Sequence, residues 1–178
     1  SYTPEECTLP EEEQNKAFPI QTEEQYQLEN TESIRQQKQT LLVVDDDTEV
    51  AHYLKALLSP VYNVVCRFDA DSAFKAMSEE APDLVLSDVV MPGRNGYDLC
   101  RQIKEDLQLC HIPVILVTAK ATVENQVEGL NTGADAYVTK PFEPNYLLAL
   151  IKSQLKNREK VRSLLSRSTQ TDEIEENV

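Results

Sequence analysis

Five polar side chains end four short apolar runs of this chain, and together they could handle a phosphoryl group. The runs with their polar ends read LLVVDD (Asp45, Asp46), LVLSD (Asp88), VILVT (Thr118) and AYVTK (Lys140). Carboxylate oxygens are ligands that select a hard divalent cation such as Mg²⁺. A lysine and a hydroxyl beside them supply a positive charge and a hydrogen-bond donor for phosphate oxygens. This chemistry requires that folding bring four distant strand ends together.

Asp88 is the best candidate for a nucleophile, because it stands alone at its strand end while Asp45 and Asp46 form a pair. Two carboxylates about 4 Å apart repel each other by about 4 kcal/mol at an effective dielectric constant near 20, so three require a cation. Beside that cation and Lys140, a carboxylate can attack a phosphoryl group and become an aspartyl phosphate. Any one of the five polar residues at the strand ends could simply cap the helix that follows it. Capping does not explain why polar residues end four of the apolar runs.

The elements that must position these residues alternate between short apolar runs and helical patterns. Strands are predicted at 41–45, 62–66, 83–88, 112–117 and 135–139. Helices are predicted at 48–58, 70–79, 96–107 and 121–131, with a last one from Glu143. The pattern predicts an α/β fold, a doubly wound five-stranded parallel sheet of order 2-1-3-4-5. The carboxyl ends of strands 1 and 3 then meet at the switch point, where such folds bind ligands.

Composition divides the chain into three parts. Residues 1–40 carry nine acidic and three basic side chains, so we expect a disordered acidic linker. Residues 41–157 are predicted to form the folded domain. Residues 158–178 are predicted to form a helical extension and an acidic tail that lead to a downstream module. The last helix is longer than the fold needs, with an apolar stripe at Val161, Leu164 and Leu165.

The sequence favours the cytoplasm and does not favour a membrane span or a nucleic-acid site. The four cysteines lack metal-ligand spacing, which indicates a reducing compartment and hence the cytoplasm. A longer parent protein anchored in a membrane is compatible with that location. No run is long and apolar enough to span a membrane. The basic residues of the last helix are better explained as a solvated face than as a nucleic-acid site.

The motifs VVDDD, LSDVVMPGRNGYDL, VILVTA and GADAYVTKPF, in this order, resemble the receiver domain of response regulators in two-component signalling. The resemblance covers roughly Leu41 to Leu155 and implies a flavodoxin-like fold. It implies that Asp88 is phosphorylated, with Mg²⁺ held directly by Asp46, Asp88 and the carbonyl of Val90. Asp45 would act through a water on the metal. The phosphoryl group would be contacted by the side chains of Thr118 and Lys140 and by the backbone amides of Val90 and Ala119.

The resemblance also implies how the domain changes state. Tyr137 is similar to the aromatic switch residue that turns inward when Thr118 moves toward the phosphoryl group; the alternative is an ordinary half-buried strand residue. Lys140–Pro141 is expected to be a cis peptide bond. Val90 offers no polar side chain to orient water and Lys120 could shield the site, so we predict a long-lived phosphoryl form.

The implied role is a phospho-accepting switch that takes its phosphoryl group from a phosphohistidine on a sensor histidine kinase. Such a domain catalyses its own phosphorylation and dephosphorylation without being a conventional enzyme. The acidic linker and the long last helix suggest an internal receiver of a hybrid sensor, with a transcriptional output module. A homodimer could form through the face of helix 4, strand 5 and helix 5, or through the extended last helix.

Two other functions fit parts of the sequence. In a haloacid-dehalogenase-like phosphatase, Asp45 of the D-x-D pattern would be the nucleophile, but Glu49 stands where that family has Thr or Val. A flavin-binding domain of the same fold would need a Ser-, Thr- or Gly-rich phosphate loop after the first strand, and acidic residues stand there instead. Identifying which aspartate is modified separates the phosphatase from the receiver.

Overall fold

A five-stranded parallel sheet forms the centre of the domain in the computed structural model, which describes residues 38–119 and 122–175. The strands are β1 (Thr40–Val44), β2 (Asn63–Arg67), β3 (Leu84–Asp88), β4 (Val114–Thr118) and β5 (Ala136–Thr139). Their order is β2-β1-β3-β4-β5, and every neighbouring pair is parallel. The predicted doubly wound order 2-1-3-4-5 is confirmed. The first strand starts at Thr40, a residue that the sequence assigned to the linker.

Each strand is followed by a helix, which gives five helices in the part of the chain that the structure describes. They are α1 (Thr48–Leu58), α2 (Ala70–Glu80), α3 (Gly96–Glu105), α4 (Val123–Asn131) and α5 (Pro144–Glu175). Alternate residues of β1 point to opposite faces of the sheet, as its pleat requires. Leu42 and Val44 share an apolar cluster with α2 and α3, whereas Leu41 and Val43 share another with α1 and α5. Both faces of the sheet are therefore covered, which explains why the strands are apolar without alternation.

Helix α4 packs differently from its neighbours. The helical spacing of its apolar residues predicts a buried face, but Val123, Val127 and Leu130 are each at least half exposed. Gly129 is the buried residue of this helix. The helix therefore contacts the sheet through a residue without a side chain, and its apolar side faces outward.

Helix α5 continues well past the body of the domain. Leu147, Ile151 and Leu155 are buried at its base. It then runs without interruption through residue 157, where the sequence placed the end of the domain, as far as Glu175. Val161 and Leu164 are both more than half exposed. Within the described residues, none of the helices combines the length and the apolar character that crossing a membrane requires.

Candidate functional site

The register of the sheet places the predicted site residues at one edge. Val44 pairs with Ser87, so the residues that follow them, Asp45 and Asp88, lie level with each other. Asp88 in turn pairs with Val117, the residue before Thr118. Thr118 pairs with Thr139, the residue before Lys140. Parallel pairing thus gathers residues that are far apart in the sequence, as predicted.

Three carboxylates converge at this edge. Each of Asp45, Asp46 and Asp88 offers a carboxylate oxygen within 4.8 Å of the others. Asp45 is 2% exposed, whereas Asp46 is open to solvent. A group of hard oxygens that is buried on one side and open on the other is a donor set that suits a divalent cation.

Lys140 is the cation that contacts this group. Its Nζ lies 2.9 Å from Oδ2 of Asp45 and 3.7 Å from Oδ2 of Asp88. The Lys140 amide donates to the carbonyl of Thr118 at 2.8 Å, which fixes the start of the loop after β5. The expected cis bond between Lys140 and Pro141 is confirmed. Among the described residues, one ammonium stands beside three carboxylates, which gives this group an excess of negative charge.

The environment of Asp88 opposes its ionisation. Burial is the main cause that raises the pKa of the Asp88 carboxyl above its ordinary value, and the charge of Asp45 adds to the effect. Lys140 and hydrogen bonds from the amides of Val89 and Val90 act in the opposite direction. The Val89 amide donates to Oδ1 at 2.8 Å. A carboxylate that is desolvated in this way gains from any positive charge brought next to it.

Gly96 is a positioning residue that sequence reasoning missed. A Cβ atom at this position would lie 2.1 Å from the backbone oxygen of Asp88, so α3 can begin against the site only with glycine here. The Gly96 amide donates to the carbonyl of Val89 at 2.9 Å. Asn95 and Asp98 form a capping box around the same turn. The available signal was a glycine at the first position of a helix, beside a strand-end carboxylate.

The other predicted residues surround this centre. Thr118 is fully buried at the end of β4. Val90, two residues after Asp88, is 52% exposed. Tyr137 is half-buried on β5. Lys120, which we expected to shield the site, lies outside the described residues.

The fold and this acidic edge together define a class of protein. Residues 41–152 match the family described as the response regulator receiver domain. This match covers more than half of the chain, and the chain belongs to that family. The chain therefore contains a receiver domain of two-component signalling.

Comparisons with individual proteins agree with this assignment. Histidine kinase P4 of Formosa agariphila is 37% identical over 130 residues, which are 73% of this chain and 10% of that protein. This chain thus spans about a tenth of that relative's length.

Two solved structures show the same fold. A CheY-like receiver domain protein from Methanospirillum hungatei is 34% identical, covers 70% of this chain and 98% of its own, and has a TM-score of 0.65. The receiver domain of a signal transduction histidine kinase from Syntrophus aciditrophicus is 35% identical, with 67% and 91% covered and a TM-score of 0.63.

Proposed function

We propose that Asp88 accepts a phosphoryl group from the phosphohistidine of a sensor histidine kinase. An Asp88 carboxylate oxygen forms the new O–P bond while the P–N bond of the phosphohistidine breaks, and the electron pair returns to the imidazole. The observation that carries the proposal is the position of Asp88 between two carboxylates and Lys140, whose Nζ lies 3.7 Å away. Catalysis in such a site is mainly positioning and charge neutralisation.

Mg²⁺ fits the residues at this edge. The three carboxylate oxygens within 4.8 Å of one another form a hard, electron-rich donor set with an excess of negative charge. Asp46, Asp88 and the carbonyl of Val90 would hold the ion directly. Asp45 would act through a water on the metal. Bound there, Mg²⁺ would neutralise charge on the phosphoryl oxygens.

Other side chains and backbone amides around Asp88 would contact the phosphoryl group or respond to it. Lys140 stabilises the phosphoryl oxygens as a point charge, and the Thr118 hydroxyl donates a hydrogen bond to them. The amides of Val90 and Ala119 add donors at the open side. Tyr137 responds to the movement of Thr118 and passes the change to the face formed by α4, β5 and α5.

Asp45 is a poor nucleophile in this arrangement, which argues against the phosphatase alternative. It is 2% exposed. Its Oδ1 accepts a hydrogen bond from the Asp47 amide at 2.9 Å, and its Oδ2 accepts one from Lys140 at 2.9 Å. Both oxygens are thus occupied, and the side chain is closed to a substrate that approaches from solvent.

The wider context is also a proposal. We place the domain, residues 41–157, in a cytoplasmic part of a hybrid two-component protein, between a kinase and a transcriptional output module. Similarity to histidine kinase P4 of Formosa agariphila and to the receiver domain of another histidine kinase supports this context. The exposed apolar residues of α4 and the exposed Val161 and Leu164 of α5 support a homodimer through either surface.

The decisive experiment treats the full chain with Mg²⁺ and acetyl phosphate and follows its intact mass. We expect one added phosphoryl group, located to Asp88 by peptide mapping and absent when EDTA is present. Asp88→Asn removes the gain in mass, whereas Asp45→Asn slows it but leaves the label on Asp88. Label found on Asp45, or full labelling of Asp88→Asn, would contradict the proposal.

The predicted long lifetime of the phosphoryl form is measured in the same system. After removal of acetyl phosphate, the labelled fraction is followed over time. We expect slow loss, because the side chain of Val90 offers no group that could orient water toward the phosphorus. Complete loss within seconds would contradict this prediction.

A further inference from the structure

The ring of Tyr137 lies directly against the backbone of α4. A Cβ atom at Gly129 would sit 2.6 Å from Cδ2 of the Tyr137 ring and 2.9 Å from its Cε2. No side chain larger than hydrogen fits between the helix and the ring in this arrangement. Glycine inside a helix costs stability relative to alanine. The close approach of the ring gives a physical reason for a glycine at this point of α4.

The phenol of Tyr137 is held by a second tyrosine. The Tyr137 and Tyr97 hydroxyls lie within hydrogen-bonding reach of each other. The Tyr97 hydroxyl donates its proton to the backbone carbonyl of Asn125 at 3.0 Å, which leaves the Tyr97 oxygen as an acceptor for the Tyr137 hydroxyl. Burial, followed by this hydrogen bond, raises the pKa of Tyr137 well above its ordinary value. The chain of donors thus runs from β5 through α3 to α4.

Tyr97 stands on a fixed part of the domain. It is 4% exposed and directly follows Gly96, whose contact with the Asp88 backbone fixes the start of α3. Asn125 and Gly129 lie one turn apart on α4. Helix α4 therefore meets Tyr97 through the carbonyl of Asn125 and, one turn later, meets the Tyr137 ring through Gly129.

We propose that Tyr97 and Gly129 are positioning residues that hold the Tyr137 side chain between β5 and α4. The inference rests on the switch role of Tyr137 in the proposed function and adds the groups that set its resting position. Tyr97 supplies the acceptor for the phenol, and Gly129 supplies the space for the ring. Because the Tyr97 hydroxyl faces the Tyr137 phenol and also donates to the Asn125 carbonyl, one side chain contacts both the switch residue and α4. The position of the ring and that of α4 are thereby coupled.

The first test removes one hydroxyl. In protein labelled with [¹³Cζ]tyrosine, the resonance of Tyr137 is assigned by its loss in Tyr137→Phe, and its exposure is read as broadening by a soluble gadolinium chelate. In the unphosphorylated protein we expect Tyr137 to be protected relative to Tyr53, which is 50% exposed. Tyr97→Phe should shift the held-to-released equilibrium about fivefold toward release, the effect of one net hydrogen bond. Tyr53→Phe is the matched control and should leave the Tyr137 signal unchanged.

The second test fills the space beside the ring. Gly129→Ala favours the helix by propensity, so a purely structural role predicts a more stable protein with an unmoved Tyr137. We expect the Tyr137 resonance to shift and broaden, because the new methyl group occupies the position of the ring. An unchanged Tyr137 resonance in both Gly129→Ala and Tyr97→Phe would overturn the proposal.

A double-mutant cycle tests whether the two tyrosines act on each other. Tyr97→Phe and Tyr137→Phe each remove one partner of the same hydrogen bond, so their effects on the unfolding equilibrium should not add. Additive effects would overturn the direct contact. Phosphorylation of Asp88, followed by intact mass, should be unchanged in the control variant Tyr53→Phe. Failure of wild-type phosphorylation would instead count against the proposed function, since the cycle and the exposure test use unphosphorylated protein.

Discussion

The carboxyl ends and the amino ends of the strands, called here the carboxyl edge and the amino edge of the sheet, carry carboxylates and basic side chains in different arrangements. At the carboxyl edge, Asp45, Asp46 and Asp88 meet one lysine of the part of the chain that the structure describes. At the amino edge, two aspartates stand immediately before β3 and β5, and each has a basic partner of its own. The carboxyl edge therefore carries excess negative charge, whereas each carboxylate of the amino edge is balanced by one cation.

Asp83 is the first of the amino-edge carboxylates. Its amide donates to the Thr40 carbonyl at 2.7 Å, and its Oδ2 accepts from the Thr40 amide at 2.8 Å. Its Oδ1 accepts from Nη1 of Arg158 at 2.9 Å. One side chain therefore joins the starts of β1 and β3 to helix α5.

Asp135 repeats this arrangement on the other side of the sheet. Its amide donates to the Val114 carbonyl at 2.9 Å, and its Oδ2 accepts from the Val114 amide at 2.8 Å. Lys104 of α3 lies 2.8 Å from the same oxygen. At both positions the carboxylate satisfies a backbone donor at the start of a strand and pairs with one cation.

The difference between the edges indicates which carboxylates serve stability and which serve function. At the amino edge, removal of a charge leaves its partner without a counter-ion and should destabilise the fold. At the carboxyl edge, Asp88 is desolvated and repelled by Asp45, so removal of its charge should relieve the metal-free fold and impair binding. Substitution of Asp88 and removal of an amino-edge charge should therefore have opposite signs in stability.

The largest expected effect is at Arg158, whose side chain is 10% exposed. Arg158→Met should lower the free energy of unfolding by about 3 kcal/mol, since it leaves the Asp83 carboxylate without its cation. Chemical denaturation measures the change. Lys160→Met, at an exposed position of the same helix, is the control and should change stability little. Equal effects of the two substitutions would contradict a structural role for the amino-edge pair.

Asp135→Asn should cost about 1.5 kcal/mol, because Lys104 loses its counter-ion while the amide oxygen can still accept from Val114. The control is Asp71→Asn, which removes the ion pair with Arg94. The Asp71 side chain is 78% exposed, and an exposed pair contributes little to stability. Similar denaturation midpoints for Asp135→Asn and Asp71→Asn would show that burial of the pair does not matter.

Magnesium should stabilise the carboxyl edge. At a concentration about ten times its dissociation constant, Mg²⁺ should raise the free energy of unfolding by about 1.4 kcal/mol. Asp46→Asn should reduce this gain with little effect on the metal-free fold, because Asp46 is exposed. Glu49→Gln, at an exposed position nearby, is the control. Thermal unfolding with and without MgCl₂ checks the prediction, which fails if both variants respond as wild type does.

The smallest expected effect is a gain in stability from Asp88→Asn in EDTA, of less than about 1 kcal/mol near neutral pH. The pKa of Asp88 is raised in the folded protein. The wild type therefore loses stability as pH rises through that folded pKa, whereas the variant does not. The gain should vanish at acid pH and be complete above the folded pKa. Unfolding curves across pH test this, and a gain that is constant with pH would rule out the titration of Asp88 as its cause.

Much of the carboxyl edge could be predicted because it depends on chain direction. Apolar runs identify buried parallel strands, and parallel strands bring their carboxyl ends together. Strand and helix bounds were less exact for local reasons. Strand β4 begins at Val114 because Pro113 has no amide to donate to the ladder. Helix α3 ends at Glu105 because Asp106 turns to an extended backbone.

Contacts between distant parts of the chain could not be read from local patterns. Val127 and Leu130 have helical spacing whether or not that face is covered, and in the structure it is exposed. The contact of Gly129 with Tyr137 depends on how close α4 comes to β5. The link between Asp83 and Arg158 joins residues that are 75 positions apart. Each of these depends on the assembled sheet.

The uninterrupted helix α5 has a mechanical consequence. Its last described turns follow Arg158 by 17 residues, from Glu159 to Glu175, which corresponds to roughly 25 Å of helix at 1.5 Å per residue. Because the base is clamped to the sheet by Leu155 and Arg158, a tilt of about 5° there would displace the far end by roughly 2 Å. The helix therefore acts as a lever arm, and small rearrangements near β5 are magnified with distance from the domain.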